Sequence, residues 1–85
     1  MNPKDLIRHE LIGLNVEIVK AKNPLLIGIK GKVIDETRNT MTIKYKNKMR
    51  KILKDQAVFN IKVENKIFQV DGKLLVGRPE DRLKK

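Results

Sequence analysis

The chain has no cysteine, no serine and no tryptophan among its 85 residues, and a single histidine. Without cysteine, neither a disulfide nor a thiolate-bound zinc ion can hold the fold together, which suits a reducing compartment. Hydroxyl nucleophiles are reduced to Thr37, Thr40 and Thr42. The only histidine, His9, falls in a predicted helix, with no motif pairing it to a threonine, so the base–nucleophile–orienter arrangement of covalent catalysis is missing. No apolar run approaches the roughly 18 residues of a membrane span, and the N-terminus lacks the apolar stretch of a signal peptide. These absences lead us to expect a soluble, cytoplasmic protein. Aromatics are scarce as well, one tyrosine and two phenylalanines, which leaves few platforms for stacking nucleobases.

Acidic residues are the remaining shortage. Ten Asp and Glu stand against twenty Lys and Arg, for a net charge of +10. Solubility needs only a charge magnitude of about 2–8 and is served better by acids. So large a basic excess points to a polyanionic partner, nucleic acid ahead of a membrane surface or an acidic protein.

What is present reads as one domain, spanning 1–85. Residues 1–13 read as a short helix, with Asn2 as N-cap, Pro3 at the first helical position and Gly13 placed to end it. Leu6, Ile7, Leu11 and Ile12 fall at helical spacing and form a stripe that must dock on something. From Leu14 the period changes to two. Val16 and Ile18, then Ile27, Ile29 and Val33, then Met41, Ile43 and Tyr45 alternate with polar residues. "MRKIL", "AVFNIKV", "KIFQV" and "KLLVG" follow. Turn signals separate them at Arg38-Asn39, Asn47-Lys48, Glu64-Asn65 and Asp71-Gly72, the last being the strongest hairpin signal. This pattern predicts an all-β domain over 14–77, six to seven short antiparallel strands curled into a small barrel. Residues 78–85, opening on Arg78-Pro79, read as a C-terminal helical tail.

Three constellations could carry chemistry. "GIKG", Gly28 to Gly31, has the spacing of a backbone-clamping GXXG loop, but that loop joins two helices and here the flanks are extended. Glycines in a strand pattern mark a bend, a bulge or a close backbone approach, and here they are expected to bend a curved strand. Asp35 and Glu36 could ligate a hard cation, yet adjacent strand residues point to opposite faces, so an acidic turn answering nearby lysines is expected instead. The third is the basic run. No acid lies between Glu36 and Asp55, while Arg38, Lys44, Lys46, Lys48, Arg50, Lys51 and Lys54 do. On a strand, Lys44 and Lys46 share a face with Thr40 and Thr42, and a hairpin near Asn47 would bring Arg50 or Lys51 alongside. Fifteen lysines to five arginines suit contact with phosphates and 2′-hydroxyls of a folded RNA.

The blocks "RHELIGLNVEIVKAKNP", "GIKGKVIDETRNTMTI" and "GRPEDRLKK", in this order, make nearly the whole chain resemble the archaeal ribonuclease P protein component 1 family, the counterpart of a subunit of the eukaryotic nuclear enzyme. The resemblance implies a six- to seven-stranded antiparallel Sm-like barrel with short N- and C-terminal helices. Gly31, Val33, Asp35, Asn39, Met41 and Ile43 fit the spacing of the first Sm motif, whereas the Arg-Gly pair of the second is unmatched. The resemblance further implies a tRNA-processing ribonucleoprotein in which RNA cleaves the precursor. The protein would have no active site and no cofactor of its own, the Mg²⁺ being used by the RNA. It would partner the specificity domain of the RNase P RNA, a small zinc-ribbon subunit as heterodimer partner, and other RNase P proteins. Carried over to this chain, RNA binding is expected at Lys30, Lys32, Arg38, Lys44, Lys46, Lys48, Arg50, Arg78 and Arg82. Partner binding is expected at Leu6, Ile7, His9, Leu11 and Val19. The competing expectations are an Sm-like or ribosomal-type RNA-binding barrel, and a protein–protein scaffold of another ribonucleoprotein.

Overall fold

Alternation of apolar and polar residues builds six antiparallel strands in the computed structural model, which describes residues 10–77. They are β1 (Asn15–Ala21), β2 (Lys30–Glu36), β3 (Thr40–Tyr45), β4 (Lys48–Leu53), β5 (Ala57–Val63) and β6 (Lys66–Asp71). They form one sheet in the order β4-β3-β2-β1-β5-β6. One face of every strand supplies the core: Val16 and Ile18, Val33, Met41 and Ile43, Ile52, Phe59 and Ile61, and Val70 are all buried. The sheet curls around this face as a small barrel, and Leu11, Ile29 and Leu75 complete the packing.

The two outermost strands, β4 and β6, are joined at one end by single-turn 3₁₀ helices rather than by a ladder. One, Lys54–Gln56, follows β4; the other, Gly72–Leu75, follows β6. The second turn begins at Asp71-Gly72, where a hairpin was predicted. Asp71 instead caps it, its side chain accepting from the Lys73 amide at 3.0 Å. "KLLVG" is therefore no seventh strand. Its Leu75 is buried and its Leu74 exposed, as a 3₁₀ turn dictates and a fully buried strand does not. Gly72 is required for a reason of space: a Cβ there would meet the backbone carbonyl oxygens of Lys54 and Ala57.

The other turns lie close to their predicted places. The β3–β4 turn is formed by Lys46 and Asn47, both left-handed at φ 50° and 64°, one residue earlier than the Asn47-Lys48 signal. Positive φ at two successive residues is the two-residue hairpin geometry whose twist matches antiparallel strands. Glu64 is also left-handed, at φ 57°, in the β5–β6 turn. Gly28, at φ 94°, stands before β2 and not within it. A third 3₁₀ turn, Pro24–Leu26, capped by Asn23, precedes it where an extended run was predicted. Gly31 does lie in β2, where it admits the backbone of Lys44 at a distance no Cβ tolerates.

Two irregularities change which residues face inward. Pairing shifts between Ile18 and Lys20 in β1, and between Val33 and Asp35 in β2. The extra residue in β2 puts Asp35 opposite Thr42 on the outer face, and Glu36 opposite Met41 on the inner one. The Glu36 side chain is thus turned inward, its Oε2 lying 2.6 Å from Nζ of Lys54, and both side chains are fully buried. The Lys54 ammonium also donates to the carbonyls of Thr37 at 2.7 Å and Gly77 at 3.0 Å. The sequence predicted an acidic turn answered by lysines. The structure makes it one buried pair that ties the β2–β3 turn to the end of the described chain.

The predicted terminal helices lie almost wholly outside the described residues. Of the first, residues 10–13 are described: the Leu14 amide donates to the Leu11 carbonyl at 3.0 Å, and Gly13, at φ 95°, takes the left-handed conformation expected where a helix stops.

Candidate nucleic-acid interface

Strand register determines which cations meet. On the outer face, Met49 of β4 lies opposite Lys44, Lys44 opposite Lys32, Lys32 opposite Asn15, Asn15 opposite Lys62, and Lys62 opposite Ile67 of β6. One continuous row thus crosses all six strands, with three lysines, one asparagine and no acid. Lys30 lies in the neighbouring row, opposite Glu17. Strands in a sheet are about 4.8 Å apart, so the row extends for roughly 24 Å.

Lys32 and Lys44 are directly opposed across an antiparallel pair, an arrangement of like charges that destabilises a sheet. No acid lies between them in the row. Exposed apolar side chains stand at both ends of the row, Met49 at 74% and Ile67 at 66% exposure. The next row toward the β2–β3 turn, Lys51–Thr42–Asp35, does contain an acid.

The sequence-predicted cations therefore separate into groups. Lys32 and Lys44 lie in the row and Lys30 beside it. Lys46 sits in the β3–β4 turn with its ammonium 5.3 Å from the centre of the Tyr45 ring. That distance is a cation–π contact. Lys48 lies opposite Tyr45 and Arg50 opposite Ile43. Both are exposed, yet their register assigns them to the other side of β4 from Lys44. It is Lys51, not Arg50, that shares the Lys44 face. Arg38 is exposed in the β2–β3 turn at the far end of that ladder. Arg78 and Arg82 lie outside the described residues.

Lys62 belongs to the row and was missed. Nothing near it in sequence marks it, because it joins Lys32 only through β1, which pairs with both β2 and β5. Its alternation with Ile61 and Val63 announces an outward side chain, but only the strand order says which side chains it joins.

Among the residues expected to meet a protein partner, Leu11 is fully buried in the core, so in this structure it packs the domain and presents no surface. Val19, the extra residue of the β1 irregularity, is half-buried. Leu6, Ile7 and His9 lie outside the described residues.

Thr37 and Thr40 are engaged with each other through their hydroxyls, and the Thr37 hydroxyl accepts from the Thr40 amide at 3.1 Å, a turn-closing role. Among the described residues no three His, Asp or Glu side chains are grouped to hold a metal, and no helix is long and apolar enough to cross a membrane.

Comparison with known proteins gives a consistent result. The family model described as ribonuclease P/MRP, subunit p29, matches residues 4–85. A ribonuclease P protein component 1 from Methanocaldococcus jannaschii is 55% identical over 86 residues, covering all of this chain and 90% of its own. One from Thermococcus sibiricus is 53% identical over 85 residues, covering all of this chain and 69% of its own. Among solved structures, Mth11, titled a homologue of human RNase P protein Rpp29, superposes with a TM-score of 0.62. It is 41% identical and covers 87% of this chain and 97% of its own.

Proposed function

As the chain belongs to the ribonuclease P/MRP subunit p29 family, in its archaeal component 1 form, we propose that it is a non-catalytic, RNA-binding subunit of ribonuclease P. In that role it supports RNA-catalysed removal of the 5′ leader from precursor tRNA. The observation carrying this reading is the acid-free lysine row across the outer face. Lysines on adjacent strands neutralise successive phosphates of a folded RNA without demanding a base sequence. Neutralised phosphates approach one another with less help from Mg²⁺, so the RNA reaches its active fold at lower magnesium. The Mg²⁺ itself serves the RNA, and this chain binds no cofactor in the proposed scheme.

The proposed partners are the specificity domain of the RNase P RNA, a zinc-ribbon protein subunit and the other proteins of the particle, in the cytoplasm and away from membranes. The zinc-ribbon subunit is proposed to meet the N-terminal segment with Leu6, Ile7 and His9, and the adjoining Val19.

Reconstitution tests the proposal. Added to the RNA with its protein partners, the chain is expected to restore precursor-tRNA cleavage at a Mg²⁺ concentration where the RNA without it is inactive. Replacing Lys32, Lys44 and Lys62 together by Ala is expected to raise the Mg²⁺ requirement again. A variant that supports cleavage at the same Mg²⁺ as the native chain would remove the row from the mechanism. Cleavage by the purified chain alone would overturn its non-catalytic role.

A further inference from the structure

Beside the lysine row, a hollow of about 410 Å³ opens over β1, β2, β5 and β6. Its polar lining includes Glu17, Lys30, Asn60 and Lys62, and Ile67 forms an apolar wall. Strand register orders these groups. Glu17 has Lys30 directly opposite on one side and Asn60 directly opposite on the other. Lys62 lies opposite Ile67 in the neighbouring row.

A carboxylate at this place is at odds with a surface that only meets phosphates, because it repels them. Directly opposite Lys30, it offsets one cation of the neighbouring row, yet among the described residues it is held in no close ion pair. The Glu17 carboxylate is not part of the buried ion pair, which joins Lys54 to Glu36. Glu17 lines the hollow, so its carboxylate offers two adjacent acceptors there, with the donors Lys30 and Asn60 opposite it on the neighbouring strands.

We propose that this hollow reads one unpaired guanine of the bound RNA. The Watson–Crick edge of guanine offers two neighbouring donors, N1–H and the N2 amine, followed by the acceptor O6. Two carboxylate oxygens flanked by an ammonium or amide donor form the complement of that order. Uracil presents a single donor between two acceptors, while adenine and cytosine present a single donor beside an acceptor nitrogen. Each of these sets an oxygen or nitrogen lone pair against the carboxylate. Guanine held in this way lays its flat face along Ile67, 66% exposed, and its backbone falls on Lys62 and the row beyond. The site requires an unpaired base, since pairing occupies the same edge, and single-stranded loops are where proteins read RNA bases. The inference rests on the RNA-binding reading and adds to it one base-specific contact on a surface otherwise devoted to phosphates.

Fluorescence polarisation with the full chain tests it. The probes are short unstructured oligouridylates, unmodified or with one central guanosine, inosine or adenosine. The guanosine probe is expected to bind roughly tenfold more tightly than the uridine or adenosine probes, the discrimination of one good bidentate contact. Inosine, which lacks the N2 amine, is expected to lose most of that advantage. Glu17→Gln, which replaces one acceptor by a donor, is expected to abolish the guanosine preference while leaving oligouridylate binding equal or tighter. Equal affinity for all four probes would overturn the inference and leave the RNA-binding reading standing. So would a Glu17→Gln variant that tightens every probe alike and keeps the preference. Failure of every probe to bind would also overturn the inference, and the RNA-binding reading is then decided separately by binding to the folded RNase P RNA.

Discussion

Replacing Lys54 by Met is expected to cost about 3–5 kcal/mol of stability, the range found when one partner of a buried ion pair is removed. The Lys54 and Glu36 side chains are both fully buried. Three short contacts, to Glu36 at 2.6 Å, Thr37 at 2.7 Å and Gly77 at 3.0 Å, use the three protons of the ammonium. Methionine fills the volume and donates nothing, so a buried carboxylate and two carbonyls lose their shared cation. Thr37 lies in the β2–β3 turn and Gly77 beyond β6, so the loss also loosens the end of the barrel that no ladder closes. Urea unfolding of the full chain followed by circular dichroism measures the cost. Replacing the pair together, Lys54→Met with Glu36→Leu, is expected to recover most of it, since the uncompensated charge is then gone. A single-variant loss below about 1 kcal/mol, the size of a surface ion pair, would contradict the clamp.

The second large effect is expected at Gly72, where Ala should cost at least the roughly 1–3 kcal/mol of an overpacked core site. The first carbon of any side chain there meets the carbonyl oxygens of Lys54 and Ala57, which are backbone and cannot rotate aside. The two 3₁₀ turns would have to separate, drawing Lys54 away from Gly77. Gly28→Ala is the informative comparison. Its Cβ would meet nothing within 4 Å, but its φ is 94°, so its cost is left-handed strain of about 1–2 kcal/mol. In thermal melts Gly72→Ala is expected to fall further than Gly28→Ala. The reverse order would mean that the two turns pack less closely than described.

Period-two alternation made the strands legible. "AVFNIKV" and "KIFQV" became β5 and β6 almost residue for residue, because an inward Val, Ile or Phe at every second position admits no other regular structure. The turn chemistry was harder to read. Asp-Gly has the same preference for a hairpin as for a capped 3₁₀ turn, and what decided between them was the nearness of the Lys54 and Ala57 backbones. Glu36 escaped for a related reason. Strict alternation assigns Asp35 to the Val33 face, and only the extra residue of β2 sends Glu36 inward instead. Lys54, buried beneath a basic run, looked like one more surface cation. In the candidate interface, Lys44 was legible from the alternation of its own strand, while Lys32 entered only through the family resemblance. Lys62 was not, since the β1–β5 pairing that brings it into the row skips three strands of sequence. Local pattern says which way a side chain points; sheet order says what it meets.

The central claim is that the six-strand outer row is the surface on which RNA lies. The salt dependence of binding to the RNase P RNA tests it most directly, because the slope of log K against log salt counts phosphate contacts at roughly 0.7–0.9 each. Replacing Lys32, Lys44 and Lys62 by Ala is expected to flatten that slope by about two to three, while replacing Lys46, Lys48 and Arg50 flattens it less. An unchanged slope in the row variant, with its circular dichroism spectrum intact, would contradict the claim and place the RNA on another face.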